Sequence, residues 1–268
     1  FENEFPVLEL PTDYPRPAVK HFAGNTYRFE IRVKTTAQLN QLAAECNTSL
    51  YMVLLSAYYI MLSRFSGQED LIVGTGIAGR SHEELNDIMG LFFNTLPLRN
   101  RPQESKRFLF FLREVTANTL EAFENSDFPL NRLVELLVQQ GKLRRDPGRN
   151  PLFDTMFAMQ NFQEKTAPIM AVEMPGLTIK PYPFYNEISR FDLFLTGTEI
   201  HDTIAMELEY AAALFKPGTA EKMAGAYLEI IDQVLENPQI TLREISTSYR
   251  SMEVESRTDR EEYMEFDF

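Results

Sequence analysis

The sequence predicts an α/β protein, a two-layer sandwich in which packed helices cover a mixed sheet. Two patterns predict it. Short apolar runs that alternate with polar residues are interspersed with longer runs whose apolar residues recur every three or four positions. One long run, residues 49–65, is apolar nearly all round and belongs in the interior of its domain. Strands alternating with long helices give helix-on-sheet packing.

The elements follow in order. Pro6, Pro11, Pro15 and Pro17 make residues 1–25 an extended lead-in, because proline lacks a backbone donor and restricts the residue before it. Tyr27 to Val33 alternates apolar and charged residues, as a half-buried strand does. Thr35 or Thr36 is positioned to cap a helix running to about Glu45. The apolar helix 49–65 ends at Gly67, and Leu71-Ile72-Val73 then suits a strand covered on both faces. Residues 88–98 are strand-like, through Met89, Leu91, Phe92, Phe93 and Leu96.

Helices are predicted over 105–124, with Phe108, Leu112, Val115, Thr119 and Ala122 inward, and over 129–140, with Pro129 in the first turn. Gly141 to Pro151 is a basic, proline-bearing loop, and Phe153 to Met159 is a strand. Residues 163–189 hold four prolines and no clear period, which predicts a long connection with two short strands. Two alternating runs, Phe191–Leu195 and Ile204–Tyr210, flank the loop Gly197–Asp202 and form an antiparallel hairpin. An amphipathic helix over 217–235 follows, and the end of the chain is acidic.

Composition narrows the function. The 268 residues are 44% hydrophobic and 12% aromatic, enough for a sizeable core in one large domain or two small ones. A formal net charge of -13 repels phosphates, so nucleic acid is not an expected partner. The one basic cluster is Lys142, Arg144, Arg145 and Arg149. The single cysteine, Cys46, leaves no internal disulfide or cysteine-based metal site, and it is expected to act as a small buried hydrophobe. No apolar run reaches the roughly 18 residues of a membrane helix and no signal peptide is legible, so a cytoplasmic protein is expected.

The chain carries little that could catalyse. Its histidines are His21 in the lead-in, His82 in a polar turn and His201 in the hairpin loop, none beside a serine or cysteine nucleophile motif. Gly74-Thr75-Gly76-Ile77-Ala78-Gly79 has the wrong spacing for a phosphate cradle and is better explained by tight turning. The residues describe an α/β domain without its own catalytic centre.

Four stretches are more specific. Gln68-Glu69-Asp70-Leu71-Ile72-Val73-Gly74-Thr75 leads to Ile77-Ala78-Gly79-Arg80. Ile88-Met89-Gly90-Leu91-Phe92-Phe93-Asn94-Thr95-Leu96-Pro97-Leu98-Arg99 follows. Asn125-Ser126-Asp127-Phe128-Pro129-Leu130 precedes Leu133-Val134-Glu135, and Arg145-Asp146-Pro147-Gly148-Arg149-Asn150-Pro151-Leu152-Phe153-Asp154 comes last. In this order and spacing they resemble the later core motifs of the condensation domains of nonribosomal peptide synthetases. Pro6–Asp13 and Phe191-Asp192-Leu193 look like that family too, so the resemblance extends to about residue 246.

The resemblance implies a chloramphenicol-acetyltransferase-like fold of two similar lobes. The family's catalytic signature, H-H-x-x-x-D-G, belongs to the N-terminal lobe, and no adjacent histidines occur here. The chain then divides into a lead-in (1–25), a C-terminal condensation lobe (26–246) and an acidic tail or linker (247–268), inactive alone. Leu91 and Phe93 stand where other apolar residues are frequent, and Leu130-Asn131 replaces the usual Phe-Glu.

By the same resemblance Asn94 and Thr95 face the tunnel between the lobes, although an amide on an apolar strand can equally bind backbone. Arg80, Arg99, Arg145, Asp146, Arg149 and Asn150 are structural motif residues, with Arg145, Asp146 and Arg149 expected to pair in a charge network. The implied partners are the N-terminal lobe, peptidyl carrier proteins bearing phosphopantetheine arms, an adjacent adenylation domain and other copies of the chain. No cofactor is bound directly and no metal is implied. The alternatives are a non-catalytic carrier-docking or assembly module, an epimerization relative, and an acyltransferase completed by self-association.

Overall fold

The computed structural model describes residues 5–80, 83–85, 87–160, 172–174, 177–179 and 187–248. Its main sheet has six strands in the order β1-β8-β7-β4-β2-β3. They are β1 (Gly24–Ile31), β2 (Leu71–Ile77), β3 (Asn94–Asn100), β4 (Thr155–Gln160), β7 (Leu193–Ile200) and β8 (Thr203–Ala211). β4 runs parallel to β2 and β7, and the other pairings are antiparallel. Two short strands, β5 (Val172–Met174) and β6 (Leu177–Ile179), pair separately. The helices are α1 (Val33–Glu45), α2 (Leu50–Ser66), α3 (Phe108–Glu124), α4 (Leu130–Gln139) and α5 (Pro217–Glu236).

Helix α2 is the centre of the main core, and its burial follows from its sequence. Thirteen of its 17 residues are buried. Ser49 caps its first turn by accepting from the Met52 N–H, and Gly67 ends it at φ 70, a conformation that glycine adopts without a Cβ clash. Four tyrosines tie this core together through their hydroxyls. Tyr59 donates to the Leu98 carbonyl at 2.7 Å, Tyr227 of α5 to the Leu54 carbonyl at 3.1 Å, and Tyr51 to Thr75 Oγ1 at 2.8 Å. Tyr58 and Thr155 share a further hydroxyl–hydroxyl bond. Each ring fills apolar volume while its one polar atom keeps a partner.

The sheet is covered on its other face as well, at the β2–β4–β7 end. Leu71 and Val73 belong to the main core, whereas Ile72 points the opposite way, into a second cluster with Val134 and Leu137 of α4 and Leu152, Phe153 and Met156. The continuous apolar run of β2 is thus buried on both sides, as expected. The lead-in contributes too: Leu8 and Leu10 are buried in the main core, and Phe5 packs on the second cluster.

Three sequence expectations are corrected. Helix α1 begins at Val33 with Arg32 as its extended N-cap; Thr36 lies inside the helix, where its hydroxyl donates to the Ile31 carbonyl at 3.2 Å. The strand expected from residue 88 begins only at Asn94, because Ile88, Met89, Leu91 and Phe93 do not alternate between a core and solvent but are all exposed. The hairpin loop is tighter than expected: Ile200 pairs with Thr203, so only His201 and Asp202 turn the chain, His201 at φ 54. Most of 163–189, all of the tail beyond residue 248, and His82 lie outside the described residues.

Candidate functional site

The richest cluster of charged side chains lies where the lead-in crosses the loop between α4 and β4. Asp154 and Asp192 stand at the entrances of the neighbouring parallel strands β4 and β7, 4% and 2% exposed. The Asp192 N–H donates to the Asp154 carbonyl at 2.8 Å. Two buried carboxylates this close need cations. Arg16 of the lead-in supplies one as a fork on Asp192, one arm at 3.1 Å. Arg149 supplies the other, on Asp154 at 2.8 Å. The Asn150 N–H completes the Asp154 carboxylate at 3.0 Å, and the Asn150 amide donates to the Arg190 carbonyl at 2.9 Å.

Burial and the charge of Asp192 push the Asp154 carboxyl above its ordinary range, against the pull of Arg149. Lys20 lies beside both carboxylates; burial depresses its ammonium, and its Nζ stands 5.9 Å above the Phe191 ring.

Arg149 does more than neutralise Asp154. Its guanidinium also donates to the Leu8 carbonyl at 2.9 Å and to Glu9 at 2.8 Å, which straps the lead-in to the loop. Gln68 holds the same stretch from the other side, accepting from the Glu9 N–H and donating to the Val7 carbonyl, both at 2.8 Å. The approach is close enough that a Cβ on Gly148 would lie 2.7 Å from the Pro17 carbonyl oxygen, so only glycine fits there.

The charge network expected among Arg145, Asp146 and Arg149 is not the one that forms. Asp146 turns back to accept from the Gly148 N–H at 2.7 Å, a local turn two residues long. Arg149 finds its carboxylates on β4 and the lead-in instead. Arg144 and Arg145 are exposed, with no ion-pair partner among the described residues.

These elements enclose a groove of about 1040 Å³, walled by the lead-in (Phe5 to Glu9), α4 and the 143–154 loop. Its floor is apolar, with Ile72, Val134, Leu152 and Phe153.

Asn94 heads β3, and its amide is fully engaged with backbone. Nδ2 donates to the carbonyls of Ser126 and Phe128 at 2.8 and 2.9 Å, and Oδ1 accepts from the N–H groups of Thr95 and Leu130 at 2.9 and 3.3 Å. One side chain thus fixes the α3–α4 turn and the first turn of α4. Thr95 sits opposite Gly76 in the β2–β3 ladder. Arg99 forks onto Asp70 at 2.8 and 2.7 Å, which holds the Asp70 carboxyl below its usual range. Arg80 donates to the carbonyls of Leu85 and Ile88, and its guanidinium lies 4.5 Å over the Phe92 ring. It gathers the β2–β3 connection, whose apolar residues remain outside: Met89 is 98% exposed and Leu91 92%.

Among the described residues, histidine, cysteine and carboxylate side chains do not converge on one site. His21 Nδ1 accepts from the Ala23 N–H at 3.2 Å, and His201 turns the β7–β8 hairpin. Cys46, half-buried against the main core, has its thiol pushed up by burial. Among the described residues no group of acidic, histidine or cysteine side chains is placed to hold a metal, and no helix is long and apolar enough to cross a membrane.

Sequence reasoning assigned no role to Arg16, Asp154 or Asp192. The signal was present: an aspartate within an apolar run, as in Leu152-Phe153-Asp154-Thr155-Met156 and Phe191-Asp192-Leu193, implies a buried carboxylate that needs a cation.

A family model described as the Condensation domain matches residues 1–253. Tyrocidine synthase 3 of Brevibacillus parabrevis is 45% identical over 258 residues, 96% of this chain but 4% of the relative. Gramicidin S synthase 2 of Brevibacillus brevis is 42% identical over 91% of the chain and 5% of the relative. Bacitracin synthase 2 of Bacillus licheniformis is 41% identical over 92% of the chain and 9% of the relative. The chain therefore spans less than a tenth of these relatives.

Among solved structures, the four-domain nonribosomal peptide synthetase holo-AB3403 superposes with a TM-score of 0.84 at 22% identity, over 92% of this chain and 20% of that one. The condensation domain of the Monacolin K polyketide synthase MokA gives 0.74 at 18%, over 90% of this chain and 55% of that one. The X-domain from teicoplanin biosynthesis gives 0.77 at 24%, over 92% and 54%.

Proposed function

This chain belongs to the condensation-domain family, and from that premise we propose that it is the C-terminal lobe of a nonribosomal peptide synthetase condensation domain. One observation carries the reading: the chain is 45% identical to part of a peptide synthase over 96% of its own length, and its motifs stand in the order of the family's later core motifs. The two described histidines are placed as loop residues: His21 accepts from the Ala23 N–H and His201 turns the β7–β8 hairpin.

In the reaction proposed for the complete domain, an acceptor amine tethered through phosphopantetheine to a carrier protein attacks a donor thioester. The new bond is the amide C–N bond. The donor's C–S bond breaks, and the departing thiolate takes up the proton that the amine gives away. A histidine on the other lobe would position or deprotonate the amine. This lobe would contribute a wall of the tunnel near Asn94 and Thr95, and the exposed connection between β2 and β3 would pack against the other lobe. An adenylation domain and carrier proteins of the same synthetase are the expected neighbours.

The test compares the 268-residue chain with the same chain joined to a histidine-bearing N-terminal lobe. With loaded donor and acceptor carrier proteins, the two-lobed protein should release condensed product, and the single lobe should give none above the uncatalysed rate. Turnover by the single lobe would overturn the proposal, as would an inactive two-lobed protein that is folded and binds its carriers.

A further inference from the structure

We propose that residues 15–21 of the lead-in form a lid over the buried Asp154–Asp192 pair, held shut by the Arg16–Asp192 fork and biased toward opening by a surplus buried cation, Lys20. The closed lid clamps the 143–154 loop, so its opening loosens one wall of the groove.

The arch has no apolar anchor of its own. Leu8 and Leu10 enter the main core, but no residue between Pro11 and Ala23 is fully buried. Val19 is 70% exposed, and Tyr14 and Phe22 are exposed as well. The side chains that reach inward, Arg16 and Lys20, are both cationic. The ends of the arch are fixed to backbone: the Asp13 and Tyr14 N–H groups donate to the Leu214 carbonyl at 2.9 and 3.3 Å, and the Phe22 carbonyl accepts from the Ser189 N–H at 2.8 Å. Between these ends Pro15 and Pro17 restrict the backbone. A segment with so few buried contacts opens locally, without unfolding the rest.

The charges beneath it do not balance. Asp154 and Asp192 are already matched by Arg149 and Arg16. Lys20 is a third cation, and its Nζ is buried without a hydrogen-bond partner among the described residues, 5.9 Å above the Phe191 ring. Contact with a ring face returns only part of the hydration that a buried ammonium gives up. Opening would restore that hydration to Lys20 but break the Arg16 fork, so the two cations of one arch pull in opposite directions. The closed arch also bears on the loop below. The Lys20 N–H donates to the Pro147 carbonyl at 2.9 Å, and Arg16 donates to the Gly148 carbonyl at 3.4 Å.

Hydrogen exchange on the 268-residue chain tests the lid at two amides, that of Lys20, which donates to Pro147, and that of Asn150, which donates to Asp154. Both should exchange together, about tenfold or more faster than the central amides of α2 and with a weaker denaturant dependence. Lys20→Met places an uncharged chain over Phe191 and should slow both amides about threefold or more, at an unchanged or higher melting temperature. Arg16→Met removes the cation that holds the lid and should speed both about tenfold or more. Exchange at the rate and denaturant dependence of α2 would mean that the arch opens only with the whole fold, and would overturn the lid. Equal or faster exchange in a folded Lys20→Met variant would overturn it too, because Lys20 would then not oppose closure. So would unchanged exchange in Arg16→Met.

Discussion

Arg16 and Asp192, 176 positions apart in the chain, meet as a guanidinium–carboxylate fork that joins the lead-in to the entrance of β7. The carboxylate is 3% exposed and lies beside a second buried one, Asp154. Removing the cation would leave Asp192 buried without its principal counter-charge, which costs on the order of 3–5 kcal/mol. Arg16→Met should therefore lower the unfolding free energy by about that much in a denaturant titration. Arg16→Met/Asp192→Leu should recover a large part of the loss, because the pair then becomes apolar together. If the double variant is as unstable as the single one, the pairing is not the source of the effect.

Asn94 gives a comparison of two small substitutions. Asn94→Ala abandons four hydrogen bonds to backbone, at a net cost of about 1 kcal/mol each. Asn94→Asp should be worse, although it is nearly isosteric, because a carboxylate would face the Ser126 and Phe128 carbonyls. Hydrogen exchange at 126–130 should accelerate in both variants, and more in the aspartate. Equal exchange in wild type and Asn94→Asp would contradict this.

The pH dependence has two ends. Hydrogen bonds from Arg99 hold the Asp70 carboxyl below its ordinary 3.8, so its contribution to stability is present above that value and lost as pH falls through the lowered folded value. Asp70→Asn should flatten the acid limb of the stability curve below about pH 4. At the alkaline end burial raises the Tyr51 phenol to about 12 and pushes those of Tyr58, Tyr59 and Tyr227 well above their ordinary value. Their contribution is complete below about pH 10, the unfolded value, and is lost as pH rises through the folded ones. These phenols should ionise together with unfolding, in one cooperative ultraviolet transition. Gradual ionisation in a protein with native circular dichroism would show that they are not buried.

The exposed run from Ile88 to Phe93 should make the isolated chain self-associate, since Met89 and Leu91 are almost wholly exposed. Met89→Lys/Leu91→Lys should lower the mass seen by light scattering at high protein concentration without changing the melting temperature. An unchanged mass would place the association elsewhere.

The primary structure by itself determined the helices and most of the strands, because their apolar periods are local. The all-apolar run of α2 specified a central helix, and the continuous run of β2 a strand buried on both faces. It also determined the family, because the motif residues stand in a fixed order along the chain. Tertiary structure decided which charges meet. Arg149 was legible as a motif residue, but its partners Glu9 and Leu8 come from about 140 positions away, and no local pattern encodes that contact. It likewise decided that Asn94 spends its amide on the α3–α4 turn and that Ile88 to Phe93 stays outside the sheet. An apolar run carries the same local signature whether it is buried in its own lobe or turned toward a partner, and only the packing of the rest of the chain separates the two.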